Sequence, residues 1–157
     1  MDKAARILIV DDDENIRKVL ATILEEEGYE VEAVDTARKA IEKTKKRFHN
    51  VALIDIRLPD MEGIELLTKI WPTTPRTRKI IITGFPTLQN AVEAVNRGAD
   101  AYIVKPFDVD NVLRTIVDQL KKQEQEKKYS EEKVAEFIET RVKQLDVEKE
   151  MMHQKNP

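Results

Sequence analysis

The chain has 157 residues and no cysteine, which excludes a disulfide framework and a thiolate metal site. No apolar run approaches the roughly 18 residues of a membrane-spanning helix. The opening MDKAAR also lacks the hydrophobic stretch of a signal peptide. These absences predict a soluble, cytoplasmic protein with no membrane partner. Glycine is scarce, with all four at or before Gly98, and neither glycine nor proline occurs from 107 to 156. A net charge of −3 provides no general basic field, so no nucleic-acid partner is expected.

What is present is an alternation. Short apolar runs at Ile7–Val10, Val31–Val34, Val51–Ile54, Ile80–Ile82 and Ala101–Val104 read as strands. Amphipathic stretches separate them. Ile16, Val19, Leu20, Ile23 and Leu24 keep helical spacing up to Gly28. A second helix is predicted from Thr36 to about Lys46, and a third carries Ile64, Leu67 and Ile70 until Pro72 stops it. A fourth runs through Leu88, Val92 and Val95 to Gly98, and a fifth from Val109 to Leu120. Five strands alternating with five helices predict an α/β fold with a parallel sheet covered on both faces. The second run alternates charged and apolar residues and should be an edge. The other four are apolar throughout and read as doubly buried. An edge second strand suits the doubly wound, flavodoxin-like order 2-1-3-4-5.

Residues 1–122 are expected to form this domain and 123–157 a charged helical extension, with Ser130 as the cap of a separate helix. Ala135, Ile138, Val142, Leu145 and Met152 fall on coiled-coil spacing there, which makes a homodimer one expectation.

Doubly wound sheets bind ligands outside the carboxyl ends of their strands, at the switch point. That point receives Asp11, Asp12 and Asp13 after strand one and Asp55 after strand three. Strand four ends in Thr83 and strand five in Lys105. Clustered carboxylates resist ionising together unless a cation sits among them, and an all-oxygen set suits Mg²⁺. With Lys105 and the Thr83 hydroxyl, such a pocket attracts a phosphoryl group, and Asp55 is placed to act as a carboxylate nucleophile.

The stretches ILIVDDDENI, VALIDIRLPDMEGIEL, IIITGF and GADAYIVKPF, in this order and spacing, resemble the receiver domain of two-component response regulators over residues 5 to about 120. The resemblance implies a response regulator in a phosphorelay, a signalling domain that catalyses only its own phosphorylation and dephosphorylation. Asp55 would accept phosphate from the phosphohistidine of a sensor histidine kinase or phosphotransfer protein. Asp12 would bind Mg²⁺ directly, Asp11 through water, and Arg57 through its backbone carbonyl. Thr83 and Tyr102 would reorient on phosphorylation, switching a surface for a downstream protein target. Lys105 would bridge the phosphate, and the Lys105–Pro106 bond would be cis. In that family the positions of Arg57 and Phe85 flank the hydrolytic water, so both are expected to tune the phosphate's lifetime.

Simpler roles stand beside these. Asp13, Asp35, Asp108 and Thr87 read as helix caps. Trp71 reads as helix-edge packing, His49 and His153 as solvated, and Met151 and Met152 as tail residues without a site. An alternative function is a haloacid-dehalogenase-like Mg²⁺ phosphatase, because Asp11–Asp13 also reads D-x-D. That reading leaves Asp55 unused and lacks a later acidic motif. A third is an interaction module that is never phosphorylated, against which the full set of acids, Thr83 and Lys105 argues.

Overall fold

A computed structural model describes residues 4–155. In chain order the elements are β1 (Arg6–Val10), α1 (Glu14–Glu26), β2 (Glu30–Val34), α2 (Ala37–Lys46), β3 (Val51–Asp55), α3 (Gly63–Leu66), β4 (Arg78–Thr83), α4 (Leu88–Asn96), β5 (Ala101–Val104) and α5 (Val109–Lys155). The described residues divide at Gln123 and Glu124 into two compact units.

In the first unit all five strands are parallel, in the order β2-β1-β3-β4-β5 that the sequence predicts. Successive strand residues point to opposite faces, which produces two cores. Leu8, Val10, Ala52, Ile54 and Ile81 pack with residues of α2, α3 and α4 on one face. Ile7, Ile9, Leu53, Ile80 and Ile82 pack with Leu20 and Leu24 of α1 and Val112 and Ile116 of α5 on the other. The apolar runs of β1, β3 and β4 thus reflect burial on both sides. β5 departs from its reading as a doubly buried strand. It is the second edge, and Val104 at its end is exposed.

Local chemistry sets the helix ends. Asp13 caps α1 by accepting from the Asn15 and Ile16 N–H groups, and Thr87 caps α4. Gly28 and Gly98, at φ +92° and +96°, supply the left-handed turns after α1 and α4. Asp108 accepts from the Asp110 N–H at 3.0 Å. Asp35 is not a cap. Thr36 takes that role for α2 by accepting from the Lys39 N–H, and Asp35 pairs with the Lys39 ammonium at 2.9 Å.

Three further expectations are corrected. α3 is helical only over Gly63–Leu66. Hydrogen bonds spanning three residues, Thr68 N–H to Glu65 and Lys69 N–H to Leu66, tighten the turn after it, yet Ile64, Leu67 and Ile70 all stay buried. His49 is not solvated but 1% exposed, with Nε2 3.3 Å from Glu32 Oε1. Ser130 caps nothing, because α5 runs through it without a glycine or proline to stop it. Trp71 is exposed, as are His153, Met151 and Met152. Among the described residues no helix is long and apolar enough to cross a membrane.

Candidate functional site

Parallel strands deliver their carboxyl ends to one edge of the sheet, and the chemistry-bearing residues meet there. Asp55 ends β3, Asp11 and Asp12 follow β1, Thr83 ends β4 and Lys105 follows β5. Each of Asp11, Asp12 and Asp55 offers a carboxylate oxygen, and these lie within 4.8 Å of one another. Asp11 and Asp55 are buried, whereas Asp12 is exposed.

Lys105 Nζ donates to Asp11 Oδ2 at 2.9 Å and to Asp55 Oδ2 at 3.3 Å. The second oxygen of each buried acid takes a backbone donor. The Asp13 N–H reaches Asp11 Oδ1 at 2.9 Å, and the Arg57 N–H reaches Asp55 Oδ1 at 3.3 Å. Burial raises the Asp55 carboxyl above the usual carboxylate range, the charge of Asp11 adds to the rise, and Lys105 opposes it. Burial alone would lower the Lys105 ammonium, but its bonds and attraction to Asp11 and Asp55 outweigh that and raise it. One lysine thus serves two buried acids, and negative charge remains uncompensated. Three anionic oxygen donors with no nitrogen or sulfur fit a hard divalent cation such as Mg²⁺.

Thr83 is fully buried, and its Oγ1 accepts from the Phe85 N–H at 2.9 Å. The hydroxyl proton is left free to donate. Tyr102, on β5, is partly buried against the α2–α4 core. Its hydroxyl is buried with no hydrogen-bond partner among the described residues, and burial raises its pKa. The Arg57 guanidinium stacks on the Phe85 ring, 3.6 Å from the centroid. The Lys105–Pro106 peptide is cis, as is Thr74–Pro75.

Two residues that shape this edge escaped the sequence reading. A Cβ at Gly63 would collide with the carbonyl oxygen of Asp55, and the Gly63 N–H donates to Ile56 at 2.6 Å. A glycine in a loop signals a turn, and nothing in one sequence says which backbone it must approach. Asp60 accepts from the first two N–H groups of α2, Ala37 and Arg38, at 2.9 Å each. It therefore ties the loop after β3 to a helix some twenty residues earlier. The phosphatase alternative gains no support: Asp13 commits its carboxylate to the end of α1, and Asp55 sits among the acids it would have left idle.

The receiver-domain profile of response regulators matches residues 7–117. A solved CheY-like receiver domain protein from Methanospirillum hungatei JF-1 is 48% identical, with a TM-score of 0.76, over 79% of this chain and 99% of that one. The regulatory protein AtoC of Escherichia coli K12 is 38% identical over 68% of this chain and 23% of AtoC. The acid tolerance regulatory protein ActR of Rhizobium meliloti is 37% identical over 71% of this chain and 57% of ActR. The chain thus spans about a quarter of AtoC and little more than half of ActR. Other relatives are named as transcriptional regulatory proteins, so the comparisons lend no support to the expectation of no nucleic-acid partner. The match covers most of the chain, both strand-end acids and the lysine that bridges them: the chain belongs to the response regulator receiver family.

Proposed function

We propose that Asp55 is the phosphoacceptor of a two-component phosphorelay, with a phosphohistidine of a sensor kinase or phosphotransfer protein as donor. The observation that carries this reading is the Asp55 carboxylate, seated at the sheet edge within reach of the Asp11 and Asp12 oxygens and held by Lys105. An Asp55 oxygen attacks phosphorus, an O–P bond forms, and the N–P bond to the donor imidazole breaks with its electron pair returning to nitrogen. Lys105 already spans the gap between Asp11 and Asp55, so it is placed to follow the new charge on the phosphoryl oxygens. Asp11, Asp12 and Asp55, with the Arg57 carbonyl that the family resemblance adds, would hold Mg²⁺. The chemistry a bound Mg²⁺ supplies is neutralisation of the charge crowded between these acids and the phosphoryl group.

The free Thr83 hydroxyl proton would turn to a phosphoryl oxygen. Tyr102, whose buried hydroxyl has no partner among the described residues, would repack in response and carry the change to the face formed by α4, β5 and α5. That face, with Leu88, Val92 and Val95 of α4 exposed, is the surface offered to a downstream protein target.

Incubation with Mg²⁺ and acetyl phosphate should add one phosphoryl group by intact mass, and peptide mapping should place it on Asp55. Asp55→Asn and chelation by EDTA should each abolish it. Equal labelling of the Asn variant would reject the assignment.

A further inference from the structure

The end of the sheet opposite the acidic site carries a cleft that the phosphoryl chemistry does not use. It lies where the turn after α3 meets the start of β4 and the C-cap of α4, and its volume is about 320 Å³. Trp71, Arg76, Lys79 and Arg97 line it, and no aspartate or glutamate does so among the described residues.

Three cations thus surround one space, with one acid behind them. Asp100 receives Arg76 at 2.6 and 2.8 Å, Arg78 at 3.3 Å and the Lys79 N–H at 2.9 Å. The half-buried Lys79 ammonium donates to the neutral Leu67 carbonyl at 2.8 Å rather than to a carboxylate. Burial lowers its pKa, Asp100 opposes the fall, and the nearby charge of Arg76 adds to it. Arg97 meets Glu93 only at 3.8 Å, with both side chains exposed, a geometry that contributes little. Beside these cations stands an indole. Trp71 is 53% exposed, although Ile70 before it is buried.

We infer that this cleft binds a mononucleotide, with its base stacked on Trp71 and its phosphate among Arg76, Lys79 and Arg97. The inference does not depend on Asp55 accepting phosphate. Each part of the ligand answers one feature of the cleft. A phosphate monoester carries about −1.5 to −2 charge at neutral pH and several acceptor oxygens, which suits desolvated cations held close together. A planar base stacks on an aromatic ring whatever its sequence identity. The volume lies at the lower end of ligand cavities, about 300–1,000 Å³, which suits one nucleotide rather than two. Inorganic phosphate would leave the indole without a role, and a free nucleoside would leave the cations without one.

Trp71 is the only tryptophan of the chain, so its fluorescence reports on this cleft alone. The full chain is titrated with the 5′-monophosphates of adenosine, guanosine, cytidine and uridine, in EDTA so that no Mg²⁺ enters the acidic site. At least one should quench Trp71 saturably, and rising salt should weaken it. By calorimetry, the matching nucleoside and inorganic phosphate should each bind about ten-fold more weakly or worse. Arg97→Gln changes an exposed side chain and should weaken the nucleotide about five-fold. Trp71→Leu should weaken it about ten-fold by calorimetry. No saturable quenching by any of the four nucleotides overturns the proposal, as does nucleotide binding that both variants leave unchanged. Inorganic phosphate binding as tightly as the nucleotides overturns the stacking of a base on Trp71.

Discussion

The Arg57 guanidinium lies 3.6 Å from the centre of the Phe85 ring, joining the loop after β3, which Asp55 ends, to the loop after β4, which Thr83 ends. Water that hydrolyses an aspartyl phosphate must approach in line with the O–P bond. A stacked pair in which one partner is an aromatic ring offers bulk and no base to orient that water. Arg57→Asn/Phe85→Glu should therefore shorten the life of the Asp55 phosphate several-fold, read from the decay of phosphorylated protein after donor removal. Decay no faster than wild type would show that the pair does not shield the bond.

Asp55 is raised by burial and by Asp11, so its ionised form is less stable in the fold than in the unfolded chain. A group raised in the folded state contributes stability at low pH that is lost as pH rises through its folded value. Asp55→Asn should therefore melt at a higher temperature than wild type at pH 7 with EDTA present. The gap should narrow as pH falls into the carboxylate range. Lys105 keeps its 2.9 Å bond to Asp11 in the variant, so the ammonium is not orphaned. Melts under both conditions measure this, and equal melting at pH 7 would contradict it.

The acids should not contribute equally to Mg²⁺ affinity. Asp12 is exposed and without a hydrogen bond to Lys105, whereas Asp11 is already engaged by Lys105 and the Asp13 N–H. Asp12→Ala should weaken Mg²⁺ more than Asp11→Ala, by calorimetric titration. Two variants that titrate like wild type would remove both as ligands.

Gly63→Ala should destabilise the domain by about 1–3 kcal/mol, the usual range for a methyl forced into packed structure. The obstruction is the Asp55 backbone itself, so phosphorylation by acetyl phosphate should slow along with the loss of stability. Denaturant unfolding and a labelling time course read the two effects separately.

His49 gives a second pH dependence of opposite sign. Burial holds its imidazole below the usual 6.5, against the pull of Glu32, with Arg6 adding to the depression. A basic group depressed in the fold stabilises above its unfolded pKa, and that stability is lost as pH falls through the folded value. Glu32 also faces Lys43 at 3.2 Å and Arg47 at 3.5 Å, so it stays charged through this range. Wild type should lose melting temperature between pH 7 and pH 5, and His49→Gln should flatten that slope. An unchanged slope would assign it elsewhere.

The order of the sheet and the membership of the acidic site were legible in the chain because both rest on short-range patterns. Doubly buried strands must be apolar at every position, as Ile7–Val10 and Val51–Ile54 are, and a parallel sheet sends every strand end to the same edge. Asp55, Thr83 and Lys105 could thus be placed together without knowing any distance. Tertiary structure decided what depends on approach between distant segments. Gly63 is required because the loop folds back onto the Asp55 carbonyl, and Asp60 acts on the start of α2. His49, which looks like an isolated surface residue in sequence, is buried because it lies just before β3, within reach of Glu32 on β2. The stacking of Arg57 on Phe85 likewise exists only because β3 and β4 are neighbours. Periodicity reports which face of an element is buried. Which atoms meet across that face is set by packing, and packing belongs to the folded chain.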